Sequence, residues 1–392
     1  MSLNNSSRRD FLSVGGLAAL GAFAFRGAPL TREKTRELTL YVGTYTSGQS
    51  EGIYTYRMNV ETGELKRIGS TKAVNPSFLT INAGNGIRRY LYAVNEVKDF
   101  GGKSSGAVSA FSIDSRTGSL NFLNQQASMG ADPCHVIVDR TGRFAIVANY
   151  TGGSVSVFPI QRDGNLGPAS DVAQHHGSSV NKDRQEGPHA HCVILDCSNR
   201  HAFASDLGLD KVMIYRFDAK AGKLRPATEP WVQLEPGAGP RHLTFHPNGK
   251  YFYVINELNS TLTAFIYDPL NGRLRSMQTV STLPKDYSGP NNCADVHVSP
   301  SGKFLYGSNR GHDSIVVFAV DENTGQLEYL EHASTGGKTP RNFTIDPAGR
   351  FLLAANQGSD SIVTLGIDQQ TGRLKSTGHM AEVPAPVCLK FL

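Results

Sequence analysis

From residue 37 onward, apolar and polar positions alternate in short runs, and no long segment carries helical spacing. The stretch GAGPRHLTFHPNGKYFYVINELN, residues 237–259, shows the grammar. HLTFHP is a short alternating strand, NGK a turn and YFYVIN a second strand; STLTAFIYD follows as a third, and NGRL turns into a fourth. Val, Ile, Tyr, Phe and Thr fill the runs, while Gly, Asn, Asp and Pro separate them.

This unit recurs. A turn of the form x-Gly-x-Leu appears as TGEL at 62, TGSL at 117, DGNL at 163, AGKL at 221, NGRL at 271, TGQL at 324 and TGRL at 371, with glycines 46 to 58 residues apart. A proline or small residue opens a strand at Pro76, Pro133, Pro188, Pro240, Ala294, Pro340 and Pro386. Seven units of about 50 residues, each with four antiparallel strands, predict an all-β seven-bladed β-propeller. ELTLYVGTYT at 37–46 reads as the second strand of a unit, and PAPVCLKFL at the C-terminus supplies the missing first strand. The terminal strands therefore share one blade and close the ring, which removes two exposed strand edges. The propeller is expected over residues 37–392.

The first 30 residues follow another pattern. SRRDFL (residues 7–12) resembles the twin-arginine export signal, with Ser13 where a lysine is frequent. The Gly/Ala-rich apolar run after it is too short to span a bilayer, and Ala22-Phe23-Ala24 fits a cleavage site. The expectation is a signal peptide over 1–30, a linker over 31–36, periplasmic location, and no stable membrane insertion once the signal is removed.

Composition narrows the partners. The 392 residues are 39% hydrophobic and 19% charged, which suits a soluble globular chain. Net charge is +5, but the basic residues are scattered, so a nucleic-acid surface is not expected. Five cysteines form no CxxC pair and their odd number argues against a disulfide framework. Cys192 and Cys197 are five residues apart on one strand, roughly 16 Å, too far to bond. The expected state is a monomer without cofactor.

In a propeller blade the first strand lines the central channel and the second returns antiparallel, so first-strand starts and second-strand ends share one face. The starts collect Ser77, His135, His189, His191, Arg241, His242, His297, Arg341 and Asn342. The ends collect Asn95-Glu96, Asn149-Tyr150, Asp206, Asn256-Glu257, Asn309-Arg310 and Asn356-Gln357. Histidines, arginines and acids at one mouth suit acid/base chemistry on an anionic ligand. The recurring asparagine reads as a turn or blade-bonding residue, His246 as a backbone-bonding turn residue, and His175-His176 as solvated. His189 and His191 could ligate a metal, but no third ligand is evident and none is expected. Asp206 fits a strand-bonding role as well as a substrate contact.

GAGPRHLTFHPNG…NELNS, ADVHVSPSGKFLYGSNR and TPRNFTIDPAGRFLLAANQ resemble the seven-bladed propeller lactonase family, which includes propeller-type 6-phosphogluconolactonases and carboxymuconate cyclases. The resemblance implies chemistry that opens or closes a lactone ring. It implies catalytic roles for His189 of GPHAH, Arg241 of GPRH, Glu257 of NEL and Arg310 of SNR, with His191 as a second candidate for the histidine. His189 or Glu257 would be the base, and Arg241 and Arg310 would hold the anionic group or oxyanion. His191, His242, His297, Arg341 and Asp206 would contact substrate. No Gly-x-Ser-x-Gly elbow is present, so an acyl-enzyme is not expected. The leading expectation is hydrolysis of a sugar-derived lactone, phosphorylated or not. The alternatives are a lyase closing carboxymuconate-type diacids and a non-catalytic periplasmic binding propeller.

Overall fold

A computed structural model describes residues 37–82 and 89–392; the expected signal peptide and linker lie outside the described residues. The seven predicted units are seven four-stranded antiparallel sheets. Blade 1 combines Glu37–Thr44, Gly52–Asn59 and Leu65–Lys72 with the C-terminal Pro386–Phe391, which pairs antiparallel with Glu37–Thr44. The inner strands of blades 2 to 7 are Leu79–Asn82, Pro133–Val138, Ala190–Leu195, Pro240–Phe245, Asn292–Val298 and Pro340–Ile345. Pro133, Pro240, Pro340 and Pro386 each begin an inner strand, where a missing N–H costs no ladder bond.

Packing between blades explains the turn glycines. Gly325 sits at φ 73° and Gly372 at φ 71°, a region that favours glycine. An added Cβ would fall 2.4 Å from the Tyr251 ring and 2.3 Å from the Phe304 ring, each on the preceding blade. Their carbonyls accept hydrogen bonds from Tyr253 and Tyr306 Oη, both at 2.9 Å. Tyr41 and Tyr92 bond Gly118 and Gly164 in the same way. Most of the core is thus interblade: Tyr253, Ile255, Val296, Leu305 and Phe318, for instance, form one apolar cluster across blades 5 and 6.

The recurrent asparagines are structural, as expected. Asn95, Asn149, Asn309 and Asn356 donate from Nδ2 to carbonyls of Val74, Ser128, Thr282 and Thr335, while Asn256 reaches Thr261 and Thr263 of its own blade. His246 receives the Asn248 N–H and contacts the Gly302 carbonyl at 2.8 Å. All five cysteines are free.

Register breaks matter most for function. The inner strands of blades 3, 4, 5 and 7 shift register at Pro133/His135, Ala190/Cys192, Pro240/His242 and Pro340/Asn342. Each break leaves one residue opposite no partner: Cys134, His191, Arg241 and Arg341. A bulge bends the strand and re-aims that side chain. Here it does so at the start of the inner strand, on one face of the ring.

Deleting Pro386–Leu392 should leave Glu37–Thr44 as an open edge and break the ring. The truncated chain is expected to aggregate and to lose its cooperative thermal transition; size-exclusion chromatography and a calorimetric scan check this.

Candidate active site

The bulged residues and the ends of the second strands enclose a cavity of about 380 Å³, lined by Tyr45, Glu96, Cys134, Tyr150, Arg184, His191, Glu257, Asn292, Arg310 and Arg341. A groove of about 510 Å³ lies elsewhere, against Arg57 and Lys66 of blade 1, but it gathers no buried charges. The channel-mouth cavity does.

Glu257 is its electrostatic centre. The side chain is 6% exposed, and three guanidiniums meet it. Arg184 Nη2 lies 2.7 Å from Oε1, while Arg241 Nε and Arg310 Nη2 lie 2.9 Å from Oε2. Burial alone would raise this carboxyl; Arg310, Arg241 and Arg184 together outweigh it and hold its pKa at about 2. Burial in turn lowers Arg310 to about 10, opposed by Glu257. Arg241 also donates to the Ala294 carbonyl at 2.6 Å, and Arg310 to the Cys293 carbonyl at 2.9 Å. With both oxygens committed, Glu257 fixes arginines and is a poor base, contrary to one of the two expected assignments.

Arg341 is different. Its guanidinium lies 5.4 Å from the centroid of the Tyr45 ring and has no hydrogen bond or ion pair among the described residues. His191 also faces the cavity. Its Nδ1 is buried without a partner, and burial together with Arg241, His242, Arg341 and Arg310 keeps the ring neutral, far below the usual histidine range. Glu96 accepts from Tyr45 Oη at 2.9 Å.

Other expected contacts sit elsewhere. His189 precedes its strand, stacks on Tyr150 at 4.5 Å, and bonds Glu186 at 3.1 Å and the Tyr150 carbonyl at 3.2 Å; it does not line the cavity. Asp206 is fully buried, with Oδ1 accepting the His189 N–H at 2.8 Å and Oδ2 bonded to His175 Nδ1 at 2.6 Å. It anchors a loop instead of meeting substrate. The same pair corrects the expectation for His175, which is buried against Asp206 and Tyr215 and not solvated. His242 lies one layer deeper, bonded to Asp295 Oδ1 at 2.7 Å and packed with His135 and Phe78 into a plug beneath the cavity. His297 pairs with Tyr306, five residues beyond the cavity-lining Asn292, and bonds Asp295 Oδ2; it belongs to the inner channel. The sequence placed it at a strand start because its strand begins earlier than Ala294 suggests.

Arg184 went unrecognised. It lies between Asp171–Gln174 and Ala190–Leu195, in the unit with the widest turn-glycine spacing, Gly164 to Gly222, and that extra length was the available signal. Gln185 bonds the Leu207 carbonyl and Asp210, and Ser179 bonds Asp210, so the loop is tied down where Arg184 reaches Glu257. Among the described residues no three His, Cys, Asp or Glu side chains group as metal ligands.

Fold and site together define a seven-bladed propeller with a cationic, acid-containing cavity at one channel mouth. The family model described as "Lactonase, 7-bladed beta-propeller" matches residues 39–391, and the chain belongs to that family. It is 40% identical to the 6-phosphogluconolactonase of Bacillus subtilis over 90% of this chain and 97% of that protein. Identity with the 6-phosphogluconolactonase of Formosa agariphila is 37%, over 78% of this chain and 86% of that one. The structure of the periplasmic gluconolactonase of Pseudomonas aeruginosa superposes with a TM-score of 0.85 at 37% identity, covering 91% of this chain and 99% of the other.

Two consequences are measurable. Glu257→Gln leaves Arg241, 2% exposed, without its counter-charge. Unfolding free energy from denaturant titration should fall by about 3–5 kcal/mol. The buried histidines set a pH dependence. Burial, against Asp295, lowers His242 to about 4, and burial also lowers His135 and His191. The unfolded chain takes up these protons near pH 6.5 and the folded one does not, so stability is full above about 6.5 and falls toward about 4. Glu257 adds a further loss as pH falls from about 4.5 toward about 2. Melting temperature measured against pH should be flat near neutrality and decline below about 6.5.

Proposed function

We propose that this protein hydrolyses a sugar-derived lactone to its open-chain acid in the channel-mouth cavity. The observation that carries the reading is Arg341: a guanidinium without an ion-pair partner, sharing a small cavity with a neutral imidazole and two carboxyl groups. Arg184, Arg310 and Arg341 line the cavity with two carboxyls, and Arg241 neutralises one of these, so an anion or a developing oxyanion is the natural occupant. Arg341 and His191 hold the lactone carbonyl oxygen as charge grows on it, while Arg184 and Arg310, braced by Glu257, orient the rest of the sugar.

Arg241, Glu257 and Arg310 are buried and mutually paired, a feature that by itself suits a non-catalytic module. The open cavity and the uncommitted Arg341 favour catalysis. The names of the Bacillus and Formosa relatives support a phosphorylated substrate, and that of the Pseudomonas relative supports gluconolactone in the periplasm. Together with the S-R-R-x-F-L stretch, the last favours an exported enzyme acting on the unphosphorylated lactone.

The test is hydrolysis of 6-phosphogluconolactone and of gluconolactone, each compared with its spontaneous rate. Wild-type protein should accelerate at least gluconolactone, and Arg341→Ala should lower kcat/KM by about 100-fold, the cost of one oxyanion donor. No acceleration of either lactone, with turnover of a muconate-type diacid instead, would replace hydrolysis with lactonisation.

A further inference from the structure

Glu257 cannot carry a proton between water and a leaving group, so the cavity needs another residue for that step. Glu96 follows the second strand of blade 2, Arg89–Asn95, and lines the cavity. Its backbone is pinned on both sides: its N–H donates to the Asn75 carbonyl at 3.0 Å, and its carbonyl accepts from Asn75 Nδ2 at 3.1 Å. Tyr45 holds Oε1, whereas Oε2 is shielded from solvent and has no hydrogen-bond partner among the described residues. The Ser77 hydroxyl beside it is also unpartnered within normal geometry. An orphaned carboxyl oxygen in a ligand cavity is costly unless a ligand or water completes it.

We propose that Glu96 is the proton-transferring residue of the hydrolysis, its Oε2 taking a proton from the attacking water and returning it to the ring oxygen. This rests on the lactonase reading. The water oxygen bonds to the carbonyl carbon as Oε2 takes its proton, and the carbonyl electron pair moves onto the oxygen held by Arg341 and His191. That pair then re-forms the carbonyl, the bond from carbon to the ring oxygen breaks, and the proton passes from Oε2 to the departing oxygen. One lactone and one water give one hydroxy acid, and the carboxylate of Glu96 is regenerated.

The other groups fit the step less well. His191 is held neutral far below the usual range, which makes it a weak base and a good hydrogen-bond donor to an oxyanion. His189 is engaged by Glu186 and by the Tyr150 carbonyl. Burial drives the Cys134 thiol well up, so it stays protonated. The titratable and charged groups facing Glu96 are Tyr45, Arg341, Asp132 and Cys134. Burial raises the Glu96 carboxyl; Arg341, Ser77 and Tyr45 offset only part of this, and Asp132 adds to it. A raised carboxyl is a stronger base once ionised. An anionic substrate that engages Arg341 removes the main opposing charge and raises it further.

Steady-state rates of wild type, Glu96→Gln and Glu96→Asp on both lactones, from about pH 4 to about pH 9, test the assignment. Wild-type kcat should fall at acid pH as Oε2 becomes protonated, and with the anionic 6-phosphogluconolactone the midpoint should be higher in kcat than in kcat/KM. Glu96→Gln keeps an acceptor for Tyr45, so it should fold normally, keep KM within about threefold, lose at least about 100-fold in kcat and lose the acid limb. Glu96→Asp should retain part of kcat with the limb displaced. An active wild type with Glu96→Gln keeping more than about one-tenth of kcat and an intact acid limb would overturn Glu96 alone. A wild type that accelerates neither lactone would remove the lactonase reading and this assignment with it. If Glu96→Gln does not fold, Glu96→Asp decides: a displaced acid limb supports the assignment and an unchanged profile overturns it.

Discussion

The ring must close. Seven blades enclose a channel only if the last packs on the first, and the chain secures this by pairing Pro386–Phe391 with Glu37–Thr44. Because most of the apolar burial lies between blades, each blade depends on both neighbours, and an open ring would leave two faces unburied. Closure also sets the spacing of the inner strands. Side chains from blades that are not neighbours, such as Phe78 or His135 with His242, then meet along the channel axis, which is where the charges gather.

Channel depth sorts those charges by role. Bulged residues at the mouth, His191, Arg241 and Arg341, turn into or directly beneath the cavity. One layer down, Phe78, His135, His242 and Asp295 fill the channel and make its floor. Asp295 satisfies the plug by bonding His242, His297 and Asn342 from three strands. A wide water-filled tunnel would screen the arginines above it; a packed floor leaves them in a low-dielectric setting where one uncommitted guanidinium has a strong effect.

Glu257 and Glu96 show how position separates two similar residues. Both follow the second strand of a blade, directly after its terminal asparagine. Glu257 faces arginines from three other segments and is locked as an anion. Glu96 faces Tyr45, the Ser77 hydroxyl and the more distant Arg341, and among the described residues its Oε2 makes no hydrogen bond within normal geometry. A sequence reading sees two equivalent carboxylates. It takes the Arg184 loop and the ring geometry to make one a brace and leave the other with an unengaged oxygen.

Periodicity determined the architecture, because strand alternation and turn glycines are local patterns repeated seven times, and the incomplete units at the two ends add up to one blade. The same repeat put Glu257, Arg310, His191 and Arg341 at the mouth where the cavity lies, with Arg241 against Glu257, since strand starts and ends follow from the antiparallel return. Depth and direction were not legible. A one-residue bulge swaps which side chain points inward, so His191 faces the cavity and His189 does not, while His242 and His297 drop into the channel. Partner choice was equally hidden: Asp206 with His175, and Glu257 with Arg184, are pairs between segments distant in sequence that only the packing of successive blades brings within hydrogen-bonding distance.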